Sequence, residues 1–147
     1  KDDDRAEEMF QRAIDADPKH AHNLGNFAQF LFCRGDNERA LATLARAKFE
    51  DDGSNPALSL EIAFYEFAHG PKSQRPPALK VIHNLVTQGV RSPGWDLAEN
   101  VRQAAKDGFR PKTWLARLAD VIVDKKPAKV LADWAAWRSA AEDERGQ

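Results

Sequence analysis

The sequence predicts an all-α protein of about eight antiparallel helices joined by short connections. Three observations predict it. Apolar residues recur at helical spacing in one segment after another. Proline, glycine and helix-capping side chains interrupt those segments at regular intervals. No stretch alternates apolar and polar residues convincingly at period two, the pattern of a half-buried strand. At 147 residues the chain is long enough for a single domain.

Each element follows from its own residues. Asp2, Asp3 and Asp4 favour a helix start, and Ala6, Met9, Phe10, Ala13 and Ile14 repeat at helical spacing up to Pro18. A second helix spans about 19–33, and Gly35-Asp36 turns the chain. The third, about 37–49, is capped by Asp36 or Asn37 and carries Ala40, Leu41, Leu44 and Ala47. Residues 51–56 (DDGSNP) form a loop that places proline at the start of a fourth helix, ending at His69. The Pro/Gly-rich stretch 70–77 reads as a long turn or hinge before a fifth helix that starts at Pro77 and ends at Gly89. Asp96 with Glu99 resembles a capping box for a sixth helix, which Gly108 stops. Pro111 starts a seventh and Pro127 an eighth, with Val130, Trp134, Trp137 and Ala141 on one apolar stripe.

Composition narrows the function classes. One cysteine permits no intrachain disulfide and no multi-cysteine zinc site. No apolar run approaches the roughly 20 residues of a membrane-spanning helix. The acidic first residues do not suit a signal peptide, and a reducing, cytoplasmic setting is expected. Net charge is −1, yet residues 1–70 hold 8 basic and 14 acidic side chains, and residues 71–147 hold 14 and 9. That polarity is either two ordinary solvated surfaces or a field that steers a charged partner.

A repeat underlies the first half. Ala40, Leu44 and Ala47 lie 34 residues after Ala6, Phe10 and Ala13. Between them Leu24, Phe27, Ala28 and Leu31 give the large, large, small, large pattern of a first helix in a two-helix repeat. Shifting Leu24, Ala28 and Leu31 by another 34 residues lands on Leu58, Ile62 and Tyr65. This pattern resembles the tetratricopeptide repeat family over about 6–85, most strongly at 21–54, with a bacterial flavour in KHAHNLGNFAQFLFCRGDNERA. Leu24, Ala28 and Asp52 stand where the family favours tryptophan, glycine and proline, and Ile62 where a small residue belongs. The resemblance implies a right-handed α-α superhelix. Residues 1–90 would be repeats, beginning in the second helix of one of them, and 91–147 a divergent repeat with C-terminal capping helices.

The resemblance also places a binding face on the first helix of each repeat. On the second helix His22, Asn26, Gln29 and Cys33 lie opposite the buried stripe and would face a partner. Asn26 matches a position where the family often holds a ligand's backbone. Pro56 and Leu60 occupy the matching positions of the next repeat, so the basic set that grips a carboxyl-terminal peptide is lacking. The fourth helix is apolar almost all round. Either the C-terminal helices fold back over it, or Leu60, Phe64 and Phe67 line an exposed apolar groove.

No catalytic constellation appears. His20 and His22 do not share a helical face, and Cys33 is a lone thiol. No metal-ligand spacing, phosphate-binding glycine loop or nucleophile motif occurs, so neither metal nor cofactor is expected. Arg110, Lys112, Arg117, Lys125, Lys126 and Lys129 near Phe109 and Trp114 form a modest basic patch, but the tryptophans suit a core better than nucleic acid. The expectation is a non-catalytic adaptor or scaffold that binds one protein partner. The alternative is an immunity protein that neutralises a cognate toxin through its acidic half.

Overall fold

Among the described residues, eight α-helices form where proline and glycine leave room for them. The computed structural model describes residues 2–145, with side chains through Glu142. The helices are α1 (Asp2–Ala16), α2 (Ala21–Cys33), α3 (Asn37–Glu50), α4 (Pro56–His69), α5 (Arg75–Thr87), α6 (Ala98–Lys106), α7 (Lys112–Ile122) and α8 (Ala135–Arg145). No strand occurs among the described residues.

Local chemistry sets the helix ends. His20 Nδ1 accepts a hydrogen bond from the Asn23 amide at 3.2 Å and caps α2. Asn55 Oδ1 accepts from the Leu58 amide at 3.3 Å, with Pro56 at the first helical position of α4. Gly35 closes α2 at a φ of 82°, a conformation that glycine adopts without steric cost. There the Gly35 amide donates to Phe32 and the Asp36 amide to Leu31, so two carbonyls of the last turn find partners. The ends of α5 and α6 repeat this pair of bonds.

The pairing of α2 with α3 is the most extensive in the molecule, and α1 rests on α2. Ala40, Leu44 and Ala47 of α3 are buried, as are Leu24, Phe27, Ala28 and Leu31 of α2. Gly25 of α2 faces α4, and an added Cβ there would lie 3.3 Å from Leu58 Cδ1. Met9, expected on the apolar face of α1, is 66% exposed; α1 buries only Ile14 fully.

Helix α4 lies at the centre. It packs against α2, α3, α5, α6 and α7, and every residue from Leu60 to Tyr65 is buried. Of the two readings of its all-round apolarity, the structure takes the first: the later helices cover it. Gly70 ends α4 at a tight contact, because a Cβ there would meet the Glu66 carbonyl oxygen at 2.5 Å. Gly70→Ala is expected to lower stability by about 1–3 kcal/mol, since backbone rather than a flexible side chain must yield. Chemical denaturation measures it.

The second half departs from expectation at three points. A 3₁₀ turn, Lys72–Gln74, precedes α5, which starts at Arg75 with Pro76 and Pro77 inside its first turn, where their missing N–H groups cost nothing. Asp96 and Glu99 make no capping box. Asp96 Oδ1 accepts from the Ala98 amide at 2.9 Å, and Glu99 pairs with Arg102. The helix expected from Pro127 is broken: Ala128–Leu131 is a 3₁₀ turn, and α8 begins only at Ala135. The break shifts the apolar stripe to Leu131, Trp134, Trp137 and Ala140, all buried.

Candidate partner-binding cleft

The outer face of α2 carries four polar or thiol side chains, and the structure treats them differently. His22 is exposed and borders a separate hollow with His20, Asp51 and Asn55. Asn26, Gln29 and Cys33 are half-buried and line one cleft of about 340 Å³ together with Phe10, Phe30 and Trp95. The Phe10 ring lies 5.3 Å from Phe30 and 5.5 Å from Phe27, so α1 and α2 give the cleft a firm aromatic wall.

Glu7 braces that wall. Its carboxylate meets Arg39 at 2.9 Å and Arg34 at 2.7 Å. The hydrogen bond from Arg39, with support from Arg34, holds the Glu7 carboxyl below the usual carboxylate range. The Arg34 guanidinium in turn lies 5.4 Å over the Phe30 ring.

The opposite wall comes from the loop between α5 and α6. Trp95 Nε1 donates to the Tyr65 hydroxyl at 2.9 Å, and Ser92 Oγ donates to the buried Glu61 carboxylate at 2.5 Å. The Ser92 amide donates to the Ile122 carbonyl at 2.7 Å. Burial raises the Glu61 pKa, which the Ser92 hydrogen bond partly opposes. Burial likewise raises that of Tyr65, so its hydroxyl stays protonated.

A polar relay connects the cleft to the core. Gln29 Nε2 donates to the Asp96 carbonyl and to Asn100 Oδ1, each at 2.9 Å. Asn100, fully buried, places Nδ2 3.0 Å from His69 Nε2. The His69 ring stacks on Phe32 at 4.3 Å, and burial pushes its pKa down to about 4. His69 is therefore neutral at pH 7, which leaves Nε2 free to accept from Asn100.

Two polar atoms of the cleft and its relay stay without an internal partner: Asn26 Oδ1 at the cleft and His69 Nδ1 at the inner end of the relay. Burial pushes the Cys33 thiol up to about 11, so it is protonated at neutral pH. Among the described residues, no group of three His, Cys, Asp or Glu side chains is placed to hold a metal ion. No described helix is long and apolar enough to cross a membrane.

Leu60, Phe64 and Phe67 do not join the cleft. They are 0%, 0% and 4% exposed, so the three do not form the exposed groove of the second reading; α5, α6 and α7 pack over α4, and only Phe67 borders another cleft. Pro56, at the position that the family resemblance matched, is exposed at the start of α4. In the basic patch, Arg117 lies over Trp114 at 4.7 Å, and Arg110 donates to the Ala105 and Phe109 carbonyls. Phe10, Phe30 and Trp95 are the site residues that the helical wheel of α2 missed. The flanking Pro93-Gly94 turn was the sole local sign that Trp95 leaves the helical pattern.

Residues 1–61 match the model of the tetratricopeptide repeat family. This segment of the chain is a tetratricopeptide repeat. The match covers α1, α2, α3 and the first turns of α4, and so includes Asn26, Gln29 and Cys33. No curated protein and no solved structure matches the chain. The tetratricopeptide repeat family consists of non-catalytic modules that generally mediate protein–protein interaction, and the all-helical fold agrees with it.

Proposed function

We propose that the protein is an interaction module, an adaptor or scaffold, whose partner docks in the cleft along α2. The observation that carries this reading is Asn26. Its side-chain carbonyl is buried at the cleft without a hydrogen-bond partner, between aromatic walls. An acceptor left unsatisfied costs about 1–3 kcal/mol, and a backbone N–H of a bound segment would recover part of that. Gln29 and Trp95 shape the cleft, while Cys33 contributes apolar surface. His22 stands further out and would touch only a longer partner. Under this reading 91–147 is the unit that covers the end of the repeat array.

Asn26→Ala tests it. The variant should fold with unchanged helicity and bind the partner captured by the wild-type chain about tenfold more weakly, as expected for one lost hydrogen bond. Isothermal titration with that partner measures it, and equal affinity would move the site off α2. Gln29→Ala should instead cost stability as well, because Gln29 also holds Asp96 and Asn100.

The charge distribution favours a second reading, neutralisation of a basic toxin. Asp2, Asp3, Asp15, Asp17, Glu38 and Asp52 are exposed in the acidic half. A toxin target predicts one stoichiometric, salt-sensitive partner whose growth arrest is relieved on co-expression. Several partners sharing a short segment would favour the adaptor.

A further inference from the structure

A second cleft, away from α2, lies between α5, α8 and the α6–α7 loop. Its volume is about 480 Å³, within the roughly 300–1,000 Å³ of small-ligand pockets. Its interior is apolar, formed by Phe67, Leu79, Phe109 and Trp134. The aromatic rings brace one another. Phe67 packs edge-on to Phe109 at 5.3 Å and to Trp134 at 5.9 Å, and Trp134 stacks on Trp114 at 5.5 Å. Such a cleft does not collapse easily, because each ring is held from behind.

Into this apolar space projects a cation. Arg75, the first residue of α5, sets its guanidinium 4.3 Å over the Phe109 ring. Its Nε is buried and has no hydrogen-bond partner, and no carboxylate pairs with Arg75 among the described residues. The ring face offsets part of the desolvation cost of the charge, but it supplies no acceptor in the plane of the guanidinium. Arg110 adds positive charge at the rim while donating to the Ala105 and Phe109 carbonyls. The first turn of α8, at Ala136, contributes the positive end of a helix dipole.

The complement of this cleft is an apolar body carrying one anionic head. A carboxylate fits a single guanidinium with two parallel hydrogen bonds, whereas a phosphate dianion would require more donors than the cleft provides. We propose that this cleft binds a small carboxylic acid with an aromatic or aliphatic body, its head on Arg75 and its body against Phe67, Phe109 and Trp134. The site is independent of the α2 cleft and of the partner proposed there.

The test uses the full chain and two probe acids, 3-phenylpropionate and octanoate, with the matching alcohols as neutral controls. Protein-observed NMR at neutral pH should show saturable shifts for the Arg75 side chain and the Trp134 indole. The acids should bind at least about tenfold more tightly than the alcohols, because a carboxylate is supplied to a guanidinium that has no carboxylate partner among the described residues. Arg75→Gln should erase that preference and Arg75→Lys should retain part of it. Ser139→Trp, from an exposed position at the cleft edge, should block acids and alcohols together without touching Arg75. Thermal melts establish that each variant is folded. Failure of both acids to saturate by roughly 5 mM, equal affinity for acids and alcohols, or unchanged acid binding in Arg75→Gln would each overturn the proposal.

Discussion

Phe64→Ala is expected to cost about 3–5 kcal/mol of stability, measured by urea or guanidinium unfolding. Phe64 is fully buried in α4, which five other helices surround. Removing its ring forfeits the transfer free energy of the lost atoms and leaves a cavity that close-packed neighbours fill only in part. Phe49→Ala is the control. Phe49 is 85% exposed, so its truncation should change stability by no more than about 0.5 kcal/mol. Equal effects at the two positions would mean that α4 is not the centre of the fold in solution. A native-like Phe64→Ala that loses only partner binding would restore the groove that the later helices here cover.

Acid should destabilise the protein through His69. Burial holds its folded-state pKa at about 4, against about 6.5 in an unfolded chain. Between those values the unfolded state takes up a proton that the folded state refuses, so stability falls as pH falls. The contribution is complete above about pH 6.5 and is lost progressively toward pH 4. At pH 5 the loss amounts to roughly 2 kcal/mol, at 1.36 kcal/mol per unit. Glu61 acts in the opposite sense. Its raised pKa lets the folded state bind a proton first, which relieves the burial cost of its charge as pH falls. Denaturation of the native chain at pH 7 and pH 5 should show the drop, and His69→Phe, which keeps a ring against Phe32, should flatten it. Glu61→Gln should steepen the profile. A drop of the same size in His69→Phe would assign the acid sensitivity to another group.

Much of the fold was legible in the sequence because its punctuation is local. Asn55-Pro56 and Gly35 act on their own few residues, and the helices begin and end there. The break before α8 was not legible. Trp134 and Trp137 suit either one long helix from Pro127 or a 3₁₀ turn followed by a helix, and packing on α5 and α7 decides between them. The candidate site divides along the same line. Asn26, Gln29 and Cys33 follow from the period of one helix. Trp95 and Asn100 reach the same place through the chain's path between α5 and α6, which no helical wheel encodes. The burial of Leu60, Phe64 and Phe67 also depends on that path. An all-round apolar helix states that it must be covered, not by what.

The bonds from Gln29 span 67 and 71 positions of the chain, to Asp96 and Asn100. During synthesis the α2–α3 hairpin emerges and can form first, since its contacts are local. The far wall of the cleft arrives only after residue 100 has left the ribosome. A nascent chain that already displays the whole tetratricopeptide segment thus still lacks Trp95 and the relay to His69. Under the function proposed above, partner recognition would then wait for the second half, and a stalled or truncated product would carry α1–α3 without a finished cleft.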